Sequence, residues 1–179
     1  MRKWNAVLSL SALVLLLIHG VLESFLLMGS DSVPPKWLPL LAVALLIVHV
    51  VVGLKYTIDS LRIWHKTGAG YFQENKLFWT RRISGFVILA LVFFHFGAFG
   101  SVVDGKYQIL VFTGAKLTAH LLLVAAMALH IITNIRPLMV SLGVRGGRSR
   151  LGSVLFLLSV LLLFMAAAFI VYYLRWNVW

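Results

Sequence analysis

Histidines placed inside hydrocarbon are what this chain first offers to chemistry. His19, His49, His95, His120 and His130 all lie in otherwise apolar runs. An imidazole in such surroundings needs a partner for its nitrogens, so each is a functional candidate. The segment 116–137, KLTAHLLLVAAMALHIITNIRP, carries two of them, His120 and His130. Its end has an echo. HVVVGLK at 49–55 and HIITNIR at 130–136 each run from a histidine, through apolar residues and one small or polar residue, to a cation six positions on. Those cations are Lys55 and Arg136. His65, by contrast, falls in a polar connection, where a solvated role is expected.

The elements that must position these rings follow from composition. Of the 179 residues, 61% are hydrophobic, more than a soluble domain carries. Apolar runs of membrane-spanning length recur, and the chain reads as one all-α integral membrane domain over 1–179. The expected spans are 5–28, 37–61, 82–101, 108–135 and 151–174. Between them lie a loop at 29–36 stopped by Pro34 and Pro35, a long connection at 62–81 broken at Gly68 and Gly70, a short loop at 101–107 and a Gly/Arg-rich loop at 141–150. The stretch YFQENKLFW at 71–79 has an amphipathic look. The first span lacks a small-residue cleavage site and reads as a retained helix rather than a signal peptide. With no cysteine, disulfides, thiolate metal sites and Cys-ligated iron–sulfur clusters are excluded within the chain.

The net charge of +11 sits at helix ends, which speaks for a membrane and against nucleic acid. Arg2, Lys3, Lys55, Arg62, Lys66, Lys76, Arg81, Arg82, Arg136, Arg145, Arg148 and Arg150 gather on one side. Lys36, Lys106, Lys116 and Arg175 fall near the other. The cation-rich side is expected to be cytoplasmic. The N-terminus is then inside a cell membrane and the C-terminus, with its belt-like YYLRWNVW, outside.

Depth sorts the histidines. At about 1.5 Å per residue, His95 lies roughly 20 Å from the boundary at Arg82, and His19 lies about as deep. His49 and His130 lie about 9 Å from that boundary. The result is an outer pair, His19 with His95, and an inner pair, His49 with His130. His19 to His95 spans 76 residues and His49 to His130 spans 81, as a repeated helix hairpin would give. Two histidines at one level on different helices can clamp a planar metal cofactor, and haem takes two such axial nitrogens in an apolar bundle. Gly20, Gly53, Gly85, Gly97 and Gly100 would let backbones approach one another or a flat ring. Lys55, Arg81, Arg82 and Arg136 inside, and Lys116 outside, are available for propionates. The plainer alternative is a buried histidine bonded to a neighbouring carbonyl; a zinc site lacks further ligands. His120, near the outer level, is an alternative ligand or part of a proton or quinone path.

FWTRRISGFVILALVFFH at 78–95 resembles the Arg-x-Ser-Gly start of a membrane helix in the cytochrome b subunits of succinate dehydrogenase and fumarate reductase. HVVVGLK and HIITNIR are similar to the haem-ligand helix of the same subunits. The resemblance covers roughly residues 5–145. It implies an electron-transfer membrane anchor with two b-type haems, acting on quinone. A flavoprotein and an iron–sulfur subunit would dock on its cytoplasmic face, and dimers of such complexes are among the assemblies implied. In the two-haem members, four helices give one histidine each, and haems join the first ligand helix with the third and the second with the fourth. Those members keep their ligand-free helix in the middle, whereas here it is the last.

By motif, Arg82 and Ser84 match the quinone-side Arg and Ser of that family; the alternative is a positive-inside anchor and a small packing residue. Trp79 beside them is a site-lining or an interface tryptophan. Glu23 is four residues beyond His19, on the same helix face. It is a candidate acceptor of quinol protons, as is a glutamate placed at the outer end of the first helix in the two-haem fumarate reductases; the alternative is a carboxylate reaching the interface. The chain has no nucleotide, flavin or dicarboxylate motif, so dehydrogenase chemistry would belong to partners. Other readings are a free-standing transmembrane cytochrome b and a haem-free small transporter using its histidines.

Topology is directly testable. Tags inserted at 68–70 and at 146–147 are expected to report cytoplasm, and a tag after Trp179 to report the outside. An external report from either glycine site contradicts the cation asymmetry.

Overall fold

A computed structural model describes residues 2–30, 37–68, 76–96, 98, 100–103, 106–109, 111–144 and 148–177. The five expected spans are five helices: α1 (Arg2–Leu27), α2 (Trp37–Thr67), α3 (Lys76–His95), α4 (Gly114–Ser141) and α5 (Arg148–Asn177). Each is long and apolar enough to cross a membrane, which makes this a multi-pass membrane protein. Between α3 and α4 stands a short hairpin, β1 (Gly100–Val103) and β2 (Lys106–Ile109), antiparallel with Gly100 opposite Ile109.

Hydrocarbon forces each helix to satisfy its own polar groups. Hydroxyls do so by donating one turn back: Ser24 to the Gly20 carbonyl at 2.6 Å, Thr57 to Gly53 at 2.8 Å and Ser159 to Leu155 at 2.8 Å. Helix ends are closed by left-handed glycines. Gly29 (φ 104°) lets Ser30 N–H reach the Phe25 carbonyl, and Gly143 (φ 78°) lets Val144 N–H reach Met139. Thr113, in extended conformation, starts α4 by accepting from the Lys116 N–H.

The boundaries differ from the expected ones. The third span begins at Lys76 rather than 82 and stops at His95 rather than 101. Residues 100–103 and 106–109 pair as strands, so the expected loop at 101–107 and helix start at 108 give way to the hairpin, and α4 begins at Gly114. The second span continues to Thr67, and the fifth covers Arg148–Asn177. The proline pair at 34–35, Gly70, residues 71–75 and the glycines at 97, 146 and 147 lie outside the described residues.

α4 also runs through Pro137 to Ser141 instead of ending at 135. A proline there removes the N–H that would bond the Thr133 carbonyl. Arg81 of α3 replaces it, its Nε donating to that carbonyl at 2.8 Å. A neighbouring helix thus completes the ladder, and α4 has no reason to break.

The core lies where α4 and α5 meet. Leu123, Val124, Met127, Ile131 and Ile135 of α4 pack on Leu158, Leu162 and Met165 of α5, with Leu13, Leu17 and Val21 of α1 and Ile88 and Leu91 of α3 against them. Gly20 allows the closest approach: a Cβ added there would lie 2.5 Å from Met165 Cε. The main helix contacts are α1–α2, α3–α4, α4–α5, α1–α5 and α1–α4. α2 packs on α1 and reaches α3 through the Arg82 bond to the Gly53 carbonyl, while α1 does not pack along α3, nor α2 along α4. α2 buries few side chains, Leu38 and Thr57 among the described residues.

The Arg81–Pro137 arrangement predicts a coupling. Arg81→Met leaves the Thr133 carbonyl without its donor and should cost about 1–3 kcal/mol. In a Pro137→Ala background a backbone N–H returns, and the same change should cost about 0.5 kcal/mol or less. Melting of the four variants in one detergent measures this. Equal costs in both backgrounds would mean that Arg81 does not stand in for the missing ladder bond.

Candidate functional site

Histidines from different helices meet at two levels. At the end of the bundle that carries the hairpin, the rings of His19 (α1) and His95 (α3) have centroids 6.0 Å apart and planes at 90°. Nearer the N-terminal end, His49 (α2) and His130 (α4) have centroids 6.4 Å apart and planes at 88°. Neither pair belongs to helices that pack along their lengths. Two imidazoles bound on opposite sides of one metal atom have centroids about 6 Å apart, since each metal–nitrogen bond is about 2 Å. Both pairs stand at that spacing. Among the described residues no group of three His, Asp or Glu side chains is placed to hold one metal ion; His49 and His130 stand as a pair, and His95 has both His19 and His120 beside it.

Around the N-terminal pair the nitrogens have hydroxyl neighbours. Ser84 of α3, 2% exposed, has its Oγ 3.1 Å from His130 Nδ1 and 3.1 Å from the Arg81 carbonyl. Ser9 of α1 has its Oγ 3.4 Å from His49 Nδ1 and 2.8 Å from the Asn5 carbonyl. At Gly85 and Gly53 a side-chain carbon would meet its neighbours at ordinary contact distance. A Cβ on Gly85 would lie 3.4 Å from His130 Cε1, and one on Gly53 would lie 3.4 Å from Arg82 Nη1. Arg82 donates to the Gly53 carbonyl at 3.2 Å and lies over the Phe78 ring at 4.9 Å. Its Nε is buried and makes no hydrogen bond among the described residues, so donor capacity remains for an anion. Lys55, inside α2, and Arg136, near the end of α4, are exposed, as is His65. Ser84 also floors a groove of about 220 Å³ between α3 and α4, walled by Ile83, Val87, Ala126 and Leu129.

At the hairpin level His120 is almost fully buried and its Nδ1–H donates to the Lys116 carbonyl at 2.6 Å. Its ring lies 5.3 Å from that of His95, 4.8 Å from Phe169 and 5.4 Å from the fully buried Phe112. Lys116 is engaged elsewhere than expected: its ammonium donates to the carbonyls of Ala98 (2.9 Å) and Val111 (2.8 Å), tying together the two feet of the hairpin. Glu23 Oε1 is 3.8 Å from His19 Nδ1, and its side chain is one-third exposed. Trp79 packs edge-on against Phe78.

Two residues with roles here carry no motif. Ser9 stands ten residues before His19 and Ser84 eleven before His95, so setting the two histidines against each other puts Ser84 opposite Leu8 and gives no sequence signal for Ser9. Arg81, expected only as a propionate partner, is fixed to the Thr133 carbonyl. Comparison with protein-family models, characterised proteins and solved structures finds no match to this chain.

Proposed function

We propose that the chain is a dihaem membrane cytochrome b. We take it as the quinone-linked anchor of a complex of the succinate:quinone oxidoreductase or fumarate reductase type, carrying electrons between quinone and cytoplasmic iron–sulfur and flavin subunits. One observation carries the reading: two histidine pairs, each joining helices that do not pack along their lengths, at ring separations of 6.0 and 6.4 Å that suit a shared metal. Haem supplies reversible one-electron chemistry when bound. His19 and His95 would hold one, and His49 and His130 the other. The donor set fits, since neutral imidazoles in apolar surroundings are axial ligands of b-type centres. The sparse burial along α2 fits as well, because a flat group standing among helices takes the place of side-chain packing. Arg82, with an Nε to spare, is placed to pair with a propionate or a quinone oxygen.

The chain's own residues give the quinone chemistry its setting. The apolar groove between α3 and α4, with Ser84 in its lining, would be where a quinone ring approaches from lipid. At the other level Glu23, partly exposed and beside His19, would take a quinol proton towards the outer phase. The cation-rich end, with Lys55, Arg62, Arg81 and Arg136, is the face on which we place the partner subunits and the cytoplasm.

Absorbance of the purified protein tests the central point. Haem measured against protein should approach two per chain, with low-spin b-type spectra. Folded, haem-free protein would end this reading and favour a transporter. His49→Ala or His130→Ala should remove one centre and spare the other, while His120→Ala should keep both; loss of the hairpin-level centre in the latter would make His120 the partner of His95. Subunits that copurify in mild detergent distinguish an anchor from a free-standing cytochrome.

Glu23→Gln keeps the side chain's shape and removes its titration. It should retain both haem spectra and lower quinol-dependent turnover on the order of a hundredfold, while dye-linked activity of the attached dehydrogenase persists. Near-normal quinol turnover would move the quinone site to Arg82 and Ser84.

A further inference from the structure

The two serines beside the N-terminal histidine pair have one feature in common that bears on which nitrogen of each ring is free. A serine hydroxyl has one proton and two lone pairs. In each case the proton has a backbone acceptor, the Asn5 carbonyl at 2.8 Å for Ser9 and the Arg81 carbonyl at 3.1 Å for Ser84. What remains to face the imidazole is a lone pair. The ring atom that meets it is Nδ1 in both cases, at 3.4 Å in His49 and 3.1 Å in His130. A lone pair facing a ring nitrogen is stabilising only if that nitrogen carries hydrogen. With Nδ1 protonated, a neutral imidazole has its lone pair on Nε2, across the ring from the serine.

We propose that Ser9 and Ser84 are positioning residues. Each accepts the Nδ1–H of one histidine from the helix packed beside it, fixing His49 and His130 in the tautomer that leaves Nε2 of both rings free to bind a metal. The opposite assignment, with the serines donating to Nδ1, would put hydrogen on both Nε2 atoms and block ligation. The arrangement is built from different helices, since Ser9 lies on α1 for a histidine of α2 and Ser84 on α3 for one of α4. The neighbourhood of Ser84 is held rigidly. Arg81 fixes α3 to the Thr133 carbonyl, and Thr133 and Asn134 both donate to the backbone carbonyl of His130, at 3.1 and 2.7 Å. The hairpin level is built differently: there the neighbour of His19 Nδ1 is the Glu23 carboxyl, at 3.8 Å. The two levels would thus have unlike outer partners, a neutral hydroxyl against a carboxyl. A bond to Nδ1–H raises ligand basicity and favours the more oxidised metal, so the partners set the two centres apart.

The redox arm of the test rests on the dihaem reading; the tautomer arm does not. In haem-loaded protein, Ser84→Ala should weaken retention of the N-terminal-level haem on the order of tenfold. It should also shift that centre towards its reduced form by about threefold to tenfold, roughly 30 to 59 mV for one electron. Ser9→Ala, with the longer contact, should act in the same direction and less. Ser84→Thr keeps a hydroxyl and should restore both properties, and the hairpin-level centre should not move. If Ser84→Ala does not fold, Ser9→Ala with Ser9→Thr makes the same comparison. Unchanged retention and potential in the alanine variants, or equal shifts at both levels, overturn the proposal. In parallel, nitrogen NMR of the haem-free protein labelled at histidine should find Nδ1 protonated in His49 and His130, assigned by their single replacements. Nε2 protonation there overturns the proposal whether or not haem binds. Wild-type protein that never takes up haem, yet has these Nδ1–H tautomers, overturns the cytochrome reading and leaves the serine assignment standing.

Discussion

In hydrocarbon a hydrogen-bonding group is held by the protein or not held at all, and the cost of leaving one bare is several kcal/mol. The bundle can be read as a set of answers to that constraint. Hydroxyls return their protons to the preceding turn. Left-handed glycines close α1 and α4 so that the last carbonyls are bonded. The carbonyl freed by Pro137 is taken by Arg81 from the neighbouring helix. Four of the membrane histidines are instead drawn together in pairs across the bundle. The same requirement that makes an intramembrane imidazole costly makes it informative.

Much of this was legible because helices in a membrane are nearly straight rods with a fixed rise. Counting residues from a cationic boundary placed His19 with His95 and His49 with His130, and the rings are adjacent in those combinations. The boundaries were less legible, for local reasons. The end of α4 depends on Arg81, fifty-two residues away in the chain, so no reading of the segment around Pro137 alone would carry the helix to Ser141. The hairpin was hidden because Asp104, Lys106 and Gln108 interrupt the apolar runs and read as a short polar loop, though β-branched and aromatic residues flanking Asp-Gly are a hairpin signal when read for turn chemistry. Ser9 escaped notice because a serine in a membrane helix is usually content with its own backbone, and only the fold places its lone pair beside His49.

The helices are not equally secured. α4 is gripped by α3, α5 and α1, and most of the buried side chains belong to it and to α5. α2 leans chiefly on α1, and what it offers to α3 and α4 is polar: His49 beside His130, and the Gly53 carbonyl to Arg82. The apolar face of α4 and α5 holds the bundle, while the side that α2 closes is organised around groups capable of binding. Anything clamped between His49 and His130 would tie α2 to α4, a connection that side-chain packing does not provide.

The stacking of the two histidine levels has an electrical consequence. Ser9, which touches His49, and His19 lie ten residues apart on α1, so the levels are separated by about 15 Å along the helix. That is about half of a ~30 Å hydrocarbon core. A unit charge moved from one level to the other therefore traverses about half of the voltage drop across the membrane. At 100 mV this amounts to about 1.1 kcal/mol, roughly a sevenfold bias in where the charge resides. The direction of that bias is set by which end of the bundle faces the negative phase, so an energised membrane and a relaxed one would hold the same two sites at different occupancies without any movement of the helices.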